Sequence, residues 1–391
     1  MFIGGAMYEI NPTKQHNFFN RSASSFAKKR IFAEKTIHHY KFKMKYPINM
    51  KKIFFTLFLS FWFSPFFCQN LFRVMSYNVE NLFDTEKSSK KDDKDFTPDG
   101  KLHWTPGRYY NKLNNLAKVI TSAGEWDTPA IIGLCEVENE RCMTDLTKHS
   151  LLKAQDYRYV ITHCADRRGI NVALMYQRDK FKYLSHQSYK IKFPKNPRKV
   201  TRDILHVSGL IQTGDTLDVF VCHFPSRRGG EQESEPDRIF SASVLKAKTD
   251  SITIVRKKAN IIVMGDFNDE PTNTSIRQTL RALPPDNAFD VKELYNLSYK
   301  FAKQNNAGTY KYGRQWNLLD QIIVSGNLLN RKQSFHVLPE TVTIFQRDFM
   351  MEKDASNGGK KPFKTYTGMK HTGGYSDHLP VFVDFSITLQ P

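Results

Sequence analysis

One short stretch of this chain, residues 261–271, constrains the fold more than any other. In IIVMGDFNDEP, four apolar residues stop at Gly265, and acidic or amide side chains follow at Asp266, Asn268, Asp269 and Glu270. A short apolar run bounded by glycine and acids is typical of a buried strand that ends in a loop at the edge of a sheet. The stretch therefore predicts a sheet that brings carboxylates to one of its edges.

The same pattern recurs at five other apolar runs, which are far apart in sequence. Each begins or ends at a side chain that can bind a metal or move a proton: Asn78, Glu136, His223, Asp320, and the pair Asp377 and His378. Asp or Asn beside a strand is most often a turn former, so no single position is informative alone. Six strand ends with related polar groups favour one shared site over six unrelated turns.

Strand-like and helix-like segments follow one another without a regular alternation. Apolar runs predict strands at 71–78, 130–137, 157–163, 170–176, 181–191, 204–212, 217–224, 261–264, 319–325, 335–345 and 379–385. Helical spacing predicts helices at 113–120, 141–152, from Ser234 onwards and at 272–282, and the polar stretch 85–100 predicts a mobile surface loop. Consecutive strands favour an α+β domain with mixed sheets, and its length suits one large two-sheet sandwich.

The first 68 residues differ in character from the rest. Residues 1–49 are polar and basic, and we expect them to be an extension ahead of a true start at Met50. Two lysines and the apolar run 53–67 then resemble a secretory signal peptide, because a membrane-spanning helix needs about twenty apolar residues. We therefore expect a signal peptide at 50–68, cleavage near residue 68, export to the periplasm or medium, a catalytic domain at 70–391 and no membrane span in the mature form.

Charge and cysteine content narrow the possible partners. The chain has 58 Lys and Arg against 39 Asp and Glu, and residues 69–391 keep a formal charge of +10. This surplus suits a polyanionic substrate, and a merely solubilising surface is the alternative. The cysteines after residue 68 lack the Cys-x-x-Cys spacing of a zinc site. We expect Cys135, Cys142, Cys164 and Cys222 to be buried free thiols.

The polar groups at the strand ends suit one kind of chemistry. Carboxylates at Glu136, Asp266, Asp320 and Asp377 and amides at Asn78 and Asn268 are hard oxygen donors, which favour Mg²⁺ or Mn²⁺ over zinc. His223 and His378 can orient a water or protonate a leaving oxygen. Asp320 is a candidate partner for His378, although the sequence alone does not pair them.

Six motifs, taken in order across residues 72–385, resemble those of the endonuclease/exonuclease/phosphatase superfamily. They are YNVEN, GLCEVEN, CHFPSRRGG, GDFNDEP, LDQIIVS and SDHLPVF. The resemblance implies a four-layer α/β sandwich of two packed mixed β-sheets flanked by helices. It also implies that Glu136 is the principal metal ligand, with Asn78 and Asp377 beside it, and that Asp266 and Asn268 position or deprotonate the water. By the same resemblance, His378 is held by Asp320 and faces the phosphate. His223 occupies a position at which the deoxyribonuclease and sphingomyelinase branches also have His.

Some features are specific to this chain. Gln321 follows Asp320 where many members of the superfamily have His, and RRGINVALMY with PSRRGG resembles an exported bacterial branch. Arg167, Arg227 and Arg228 lie near two site loops and suit contacts with a nucleic-acid phosphate backbone. The aromatic side chains near such loops are candidates for stacking on bases, with core packing as the alternative: Tyr109, Tyr110, Trp316 and Tyr375.

The sequence therefore predicts an exported monomeric phosphodiesterase that depends on Mg²⁺ or Mn²⁺. Its predicted substrate is DNA or RNA, cleaved by in-line attack of an activated water. One alternative is a phospholipase C-like (sphingomyelinase) or phosphomonoesterase activity on the same fold. The other is a protein that binds polyanions without catalysis. The choice between DNA and RNA, endo and exo cleavage, and one metal ion or two stays open.

Overall fold

A computed structural model describes residues 70–389 apart from 90 and 287. The predicted extension at 1–49 and the predicted signal peptide at 50–68 lie outside the described residues. In the described part, no helix has both the length and the apolar character that crossing a membrane requires. The cysteines Cys135, Cys142, Cys164 and Cys222 are buried and free, as the sequence predicts.

The strands, in chain order, are β1 (Asn70–Leu82), β2 (Ile131–Val137), β3 (Tyr157–Ile161), β4 (Asn171–Gln177), β5 (Phe181–Tyr189), β6 (Ile204–Ile211), β7 (Thr216–His223), β8 (Asn260–Asp266), β9 (Ala282–Leu283), β10 (Leu294–Asn296), β11 (Tyr310–Tyr312), β12 (Gln315–Asn317), β13 (Asp320–Ser325), β14 (Phe335–Ile344), β15 (Met351–Lys353), β16 (Lys360–Pro362), β17 (Tyr366–Thr367), β18 (Lys370–His371) and β19 (Val381–Ile387). A six-stranded sheet has the order β14-β19-β1-β2-β4-β3, and a seven-stranded sheet has the order β5-β6-β7-β8-β13-β10-β9. The remaining strands pair as short two-stranded ribbons.

The helices are α1 (Pro106–Gly124), α2 (Glu140–Lys148) and α3 (Glu231–Val255), with single turns at Leu151–Gln155, Ser275–Thr279, Leu297–Phe301, Gly326–Leu329 and Asp348–Met350. Thr105 caps α1 by accepting a hydrogen bond from the Arg108 amide, and Pro106 occupies its first turn. Asn139 caps α2 in the same way, through the amide of Cys142. Each cap satisfies a backbone donor that the helix itself leaves unpaired.

The two large sheets pack face to face, and helices cover their outer faces. Val74 and Leu174 of the six-stranded sheet share one buried cluster with Val219 and Ile262 of the seven-stranded sheet. A second cluster joins the outer face of the six-stranded sheet to α1 and α2. A third joins the outer face of the seven-stranded sheet to α3. The predicted four-layer α/β sandwich is confirmed.

Two local predictions are wrong for identifiable reasons. Helix α3 begins at Glu231 rather than Ser234, because the Ser234 hydroxyl donates back to the Gly230 carbonyl at 2.6 Å instead of capping a new helix. The predicted helix at 272–282 is only one π turn, Ser275–Thr279. No helix continues past it, because Arg281 has a left-handed backbone with a φ of 59°. The described residues of the predicted surface loop at 85–100 form no helix or strand, and Phe96 within it stacks on Phe83 with ring centroids 4.2 Å apart; the mobility of the loop stays a prediction.

Candidate active site

The seven-stranded sheet brings three of the predicted residues to one edge. Antiparallel pairing of β8 and β13 places Asp320 opposite Asp266. Parallel pairing of β7 and β8 places His223 beside Asp266. All three positions are at strand ends, where backbone pairing stops and side chains are free to face a common space.

The six-stranded sheet supplies Glu136 through an irregularity in β2. Its register against both neighbours shifts at Glu136, which has a φ of 68°. A positive φ is costly for a residue with a side chain, and such bulges re-aim the side chain. Asp377 and His378 lie in the segment just before β19, and β19 itself pairs with β1.

A cavity of about 690 Å³ lies where these strand ends meet. Eight of the predicted site residues line it: Glu136, His223, Arg227, Arg228, Asp266, Asn268, Asp377 and His378. The structure thus brings together side chains that are more than 240 residues apart in sequence. Their chemical roles stay predictions.

His378 is held by a buried carboxylate. Its Nδ1 lies 2.7 Å from Oδ2 of Asp320, and its ring packs on Tyr310 with centroids 4.8 Å apart. Burial alone would lower the pKa of His378, but Asp320, helped by Asp266 and Asp377, raises it well above the usual value. The imidazole is therefore cationic at neutral pH, with Nε2 directed towards Asp266 at 3.9 Å.

Asp266 sits at the centre of a hydrogen-bond network. Its Oδ2 accepts from the Asn78 amide at 3.0 Å, and its Oδ1 accepts from the Asn268 backbone at 2.9 Å. Its Oδ2 also lies 3.6 Å from Nε2 of His223. Burial raises the pKa of Asp266, while His378 opposes the rise. These contacts hold the carboxylate in one orientation between two imidazoles.

His223 differs from His378 in charge. Burial lowers its pKa well below the usual value, and the cations of Arg202, Arg168 and His378 lower it further. Its Nδ1 has no hydrogen-bond partner among the described residues. The site therefore pairs a neutral imidazole with a cationic one, which suits an acceptor and a donor of protons respectively.

Glu136 and Asp377 are the residues that fit a metal ion best. Oε2 of Glu136 accepts from the Asn81 amide at 2.9 Å, and Oε1 lies 3.9 Å from Nε2 of His223, which is too long for a hydrogen bond. Asp377 Oδ1 approaches the same type of nitrogen, Nε2 of His378, only to 4.0 Å. Both residues thus present carboxylate oxygens to the cavity, and hard oxygen donors suit Mg²⁺ or Mn²⁺.

Two of the residues lie behind the cavity wall. Asn78 uses its amide oxygen to accept from the Glu80 backbone at 3.0 Å and its amide nitrogen to hold Asp266. Asp320 is fully buried behind His378. Ligand atoms of Asp266, Asp320 and His378 lie within 4.8 Å of one another. A hydrogen bond joins Asp320 to His378, while His378 and Asp266 stay 3.9 Å apart, so the trio is a hydrogen-bonded Asp–His pair beside a second carboxylate rather than a cation cage.

The three predicted arginines fall into different environments. Arg227 lines the cavity but donates to the Asn268 carbonyl at 2.7 Å and pairs with Glu231 at 3.1 Å. Arg228 is exposed on the wall and makes no ion pair with any residue that the structure describes. Arg167 is a correction: Arg168, its neighbour in the same turn, lines the cavity instead. Nothing in the sequence distinguishes one of these two adjacent arginines from the other.

The aromatic candidates also differ from expectation. Tyr109 is buried and donates to Asp145 at 2.9 Å, so packing explains it. Tyr310 and Tyr312 line the cavity instead, and Tyr312 is 75% exposed. The alternation in TYKYGRQW, which places two tyrosines on one side of a ribbon, was a signal in the sequence that could have identified them.

The sequence of this chain matches one known protein family. The sequence model of the Endonuclease/Exonuclease/phosphatase family matches residues 73–386. The chain belongs to this family. Family membership makes it a hydrolase of phosphoric ester bonds, and enzymes of this superfamily use divalent metal ions. No curated protein matches the chain.

Solved structures share the fold. Mannosyl-6-phosphatase from Bacteroides thetaiotaomicron VPI-5482 is 18% identical, with a TM-score of 0.50 over 81% of this chain and 100% of that chain. TDP2 from C. elegans is 14% identical, with a TM-score of 0.50 over 98% and 100%. The human Nocturnin catalytic domain with bound sulfate is 18% identical, with a TM-score of 0.49 over 82% and 96%. Identities this low show similarity of fold alone.

Proposed function

We propose that this family member is an exported, monomeric, divalent-metal-dependent phosphodiesterase whose substrate is DNA or RNA. The observation that carries the proposal is the arrangement of His378, Asp266 and Glu136 around one cavity. A cationic imidazole backed by Asp320, an oriented carboxylate and a carboxylate with free oxygens are the groups that phosphoester hydrolysis needs.

Different residues of the protein activate the water, stabilise the phosphate and exchange protons. Asp266, held by Asn78 and Asn268, orients the attacking water and accepts its proton. His378 presents a cationic N–H to the phosphate oxygens, where negative charge develops in the transition state. Neutral His223 lies on the other side of Asp266 and is available to exchange a proton with water or the leaving oxygen.

A metal ion held by Glu136 and Asp377 would supply further charge neutralisation of the phosphate. The ion that suits these oxygen donors is Mg²⁺ or Mn²⁺.

Three features favour a polymeric substrate over a small phosphoester. The cavity, at about 690 Å³, exceeds the space that one phosphate needs. Arg168 and Arg228 on its wall suit neighbouring backbone phosphates, and Tyr310 and Tyr312 offer rings on which bases can stack. Residues 69–391 also carry the formal charge of +10, which attracts polyanions.

The test uses the purified protein with supercoiled plasmid and Mg²⁺. We expect nicking that EDTA abolishes and that His378→Ala reduces at least 100-fold, the range of one acid–base group. His186→Ala, an exposed histidine on β5, is the matched control and should behave as wild type. Parallel assays on RNA, sphingomyelin and mannose 6-phosphate compare the substrate classes.

Each alternative has its own signature in this assay. Hydrolysis of sphingomyelin or mannose 6-phosphate without any nicking of nucleic acid would replace the nuclease proposal by a phospholipase C-like enzyme or a phosphomonoesterase. Tight binding of DNA with no turnover of any substrate would favour the non-catalytic protein that binds polyanions.

A further inference from the structure

A buried lysine ammonium lies beside the candidate active site and takes no part in the chemistry described above. Lys112 belongs to α1 and is only 2% exposed. Its Nζ donates to Oγ1 of Thr365 and to the carbonyl oxygen of Tyr375, both at 2.6 Å. It also lies 3.6 Å from Oε2 of Glu80. A hydroxyl, a carbonyl and a carboxylate thus surround one fixed positive charge.

The partners of Lys112 connect it to the site residues. Glu80 follows Asn78 by two positions at a φ of 51°, and its Oε2 also accepts from the Thr365 amide at 2.7 Å. Tyr375 is followed by Ser376, whose hydroxyl donates to the Asn78 carbonyl at 2.7 Å. The ammonium therefore lies between the end of β1 and the segment that leads to Asp377 and His378.

Three carboxylates act on the single positive charge of Lys112. Burial lowers the pKa of Lys112, and three carboxylates, those of Glu80, Asp377 and Glu136, oppose that effect. Two of them, Glu136 and Asp377, are the residues that fit a metal ion. Of the three, Glu80 is buried, and a buried carboxylate requires a cation or hydrogen-bond donors close by. Lys112 supplies that cation from within the chain.

We propose that the Lys112 ammonium takes the position of a second metal ion, so that the active site binds one divalent cation. The inference rests on the proposed metal dependence. The three oxygens around Nζ, from Glu80, Thr365 and Tyr375, are hard donors of the kind that Mg²⁺ and Mn²⁺ accept. Lys112 occupies that place, and it also holds the segment ahead of Asp377 without coordinating the metal itself.

The experiment counts bound Mn²⁺ by calorimetry and by the loss of the free-ion electron paramagnetic resonance signal. We expect one Mn²⁺ per wild-type chain and two per Lys112→Ala chain, because the truncation opens the space and leaves its oxygens unpaired. Lys112→Met removes the charge but fills the space, and we expect one ion. Lys118→Met, an exposed lysine on the same helix, is the control and should bind one.

The outcomes separate this inference from the proposed function. No Mn²⁺ bound to wild type would refute the proposed metal dependence, and the inference would fail with it. Two ions per wild-type chain would refute the inference alone. If Lys112→Ala is folded by circular dichroism but still binds one ion, Lys112 is structural only, and the inference is again wrong. A wild-type count of two refutes the inference even if Lys112→Ala does not fold.

Discussion

At the scale of single residues, the charge of His378 depends on one neighbour. Asp320 contacts its Nδ1 at 2.7 Å and raises its pKa. Asp320→Asn keeps the shape of the side chain but removes the negative charge, so we expect His378 to become neutral near pH 7 and less firmly oriented. Because one acid–base group contributes about 10²- to 10⁴-fold, kcat should fall at least 100-fold with KM little changed.

A second buried pair provides the control for that variant. His206 lies 3.0 Å from Asp218 on β6 and β7, and neither residue lines the cavity. Asp218→Asn should lower the melting temperature without changing kcat, since it breaks a pair of the same chemistry elsewhere. If Asp320→Asn kept wild-type kcat, His378 would not need its charge, and the proposed role of the pair would be wrong.

At this scale the sequence predicts which residues belong to the site better than it predicts which of them contact each other. A polar group at a strand end is visible in the sequence, so the residues that line the cavity from strand ends of the two large sheets were found, whereas Tyr310 and Tyr312 on the β11–β12 ribbon were missed. The contact between Asp320 and His378 depends on the register of β13 against β8, which the sequence does not specify. Lys112 was missed because a lysine on a helix is normally solvated, although it shares the buried face of α1 with Tyr109 and Leu116.

At the scale of elements, the pairing of β5 with β6 depends on one glycine. A Cβ built on Gly209 would lie 2.6 Å from two ring carbons of Phe181 and closer to a third. The ring is rigid and fully buried, so Gly209→Ala should destabilise the protein by about 1–3 kcal/mol, as overpacking does. The urea midpoint measures this, with Gly107→Ala as control, since a Cβ there would contact nothing within 4 Å. Equal midpoints for the two variants would contradict the packing argument.

Elements with strong periodicity were predicted well, and elements set by local hydrogen bonds were not. Strands such as β4 and β8 are buried throughout and apolar between their polar ends, because both faces of their sheets are covered, and this makes them visible in the sequence. The start of α3 depends on where the Ser234 hydroxyl donates, and the π turn at Ser275–Thr279 depends on tertiary contacts with α3. Neither is encoded in a repeating pattern.

At the scale of the whole molecule, the sandwich builds the site from both sheets. The seven-stranded sheet supplies Asp266, Asp320 and His223, while the six-stranded sheet supplies Glu136 and, through the segment before β19, His378. Packing of the two inner faces aligns these edges. A sequence can predict that polar strand ends converge, but the distances between them follow from the packing angle of two sheets and from the bulge at Glu136.

The net charge of the whole molecule leads to a test of the substrate class. A protein that neutralises backbone phosphates releases counterions, so binding weakens with salt by a log–log slope of about −0.9 for each phosphate contacted. Between about 50 and 200 mM salt, kcat/KM on plasmid should fall with a slope of about −2 or steeper. Hydrolysis of bis-p-nitrophenyl phosphate should change little. Arg228→Gln should reduce the plasmid slope by about one unit. Equal, shallow slopes for both substrates would instead indicate a small phosphoester as the natural substrate.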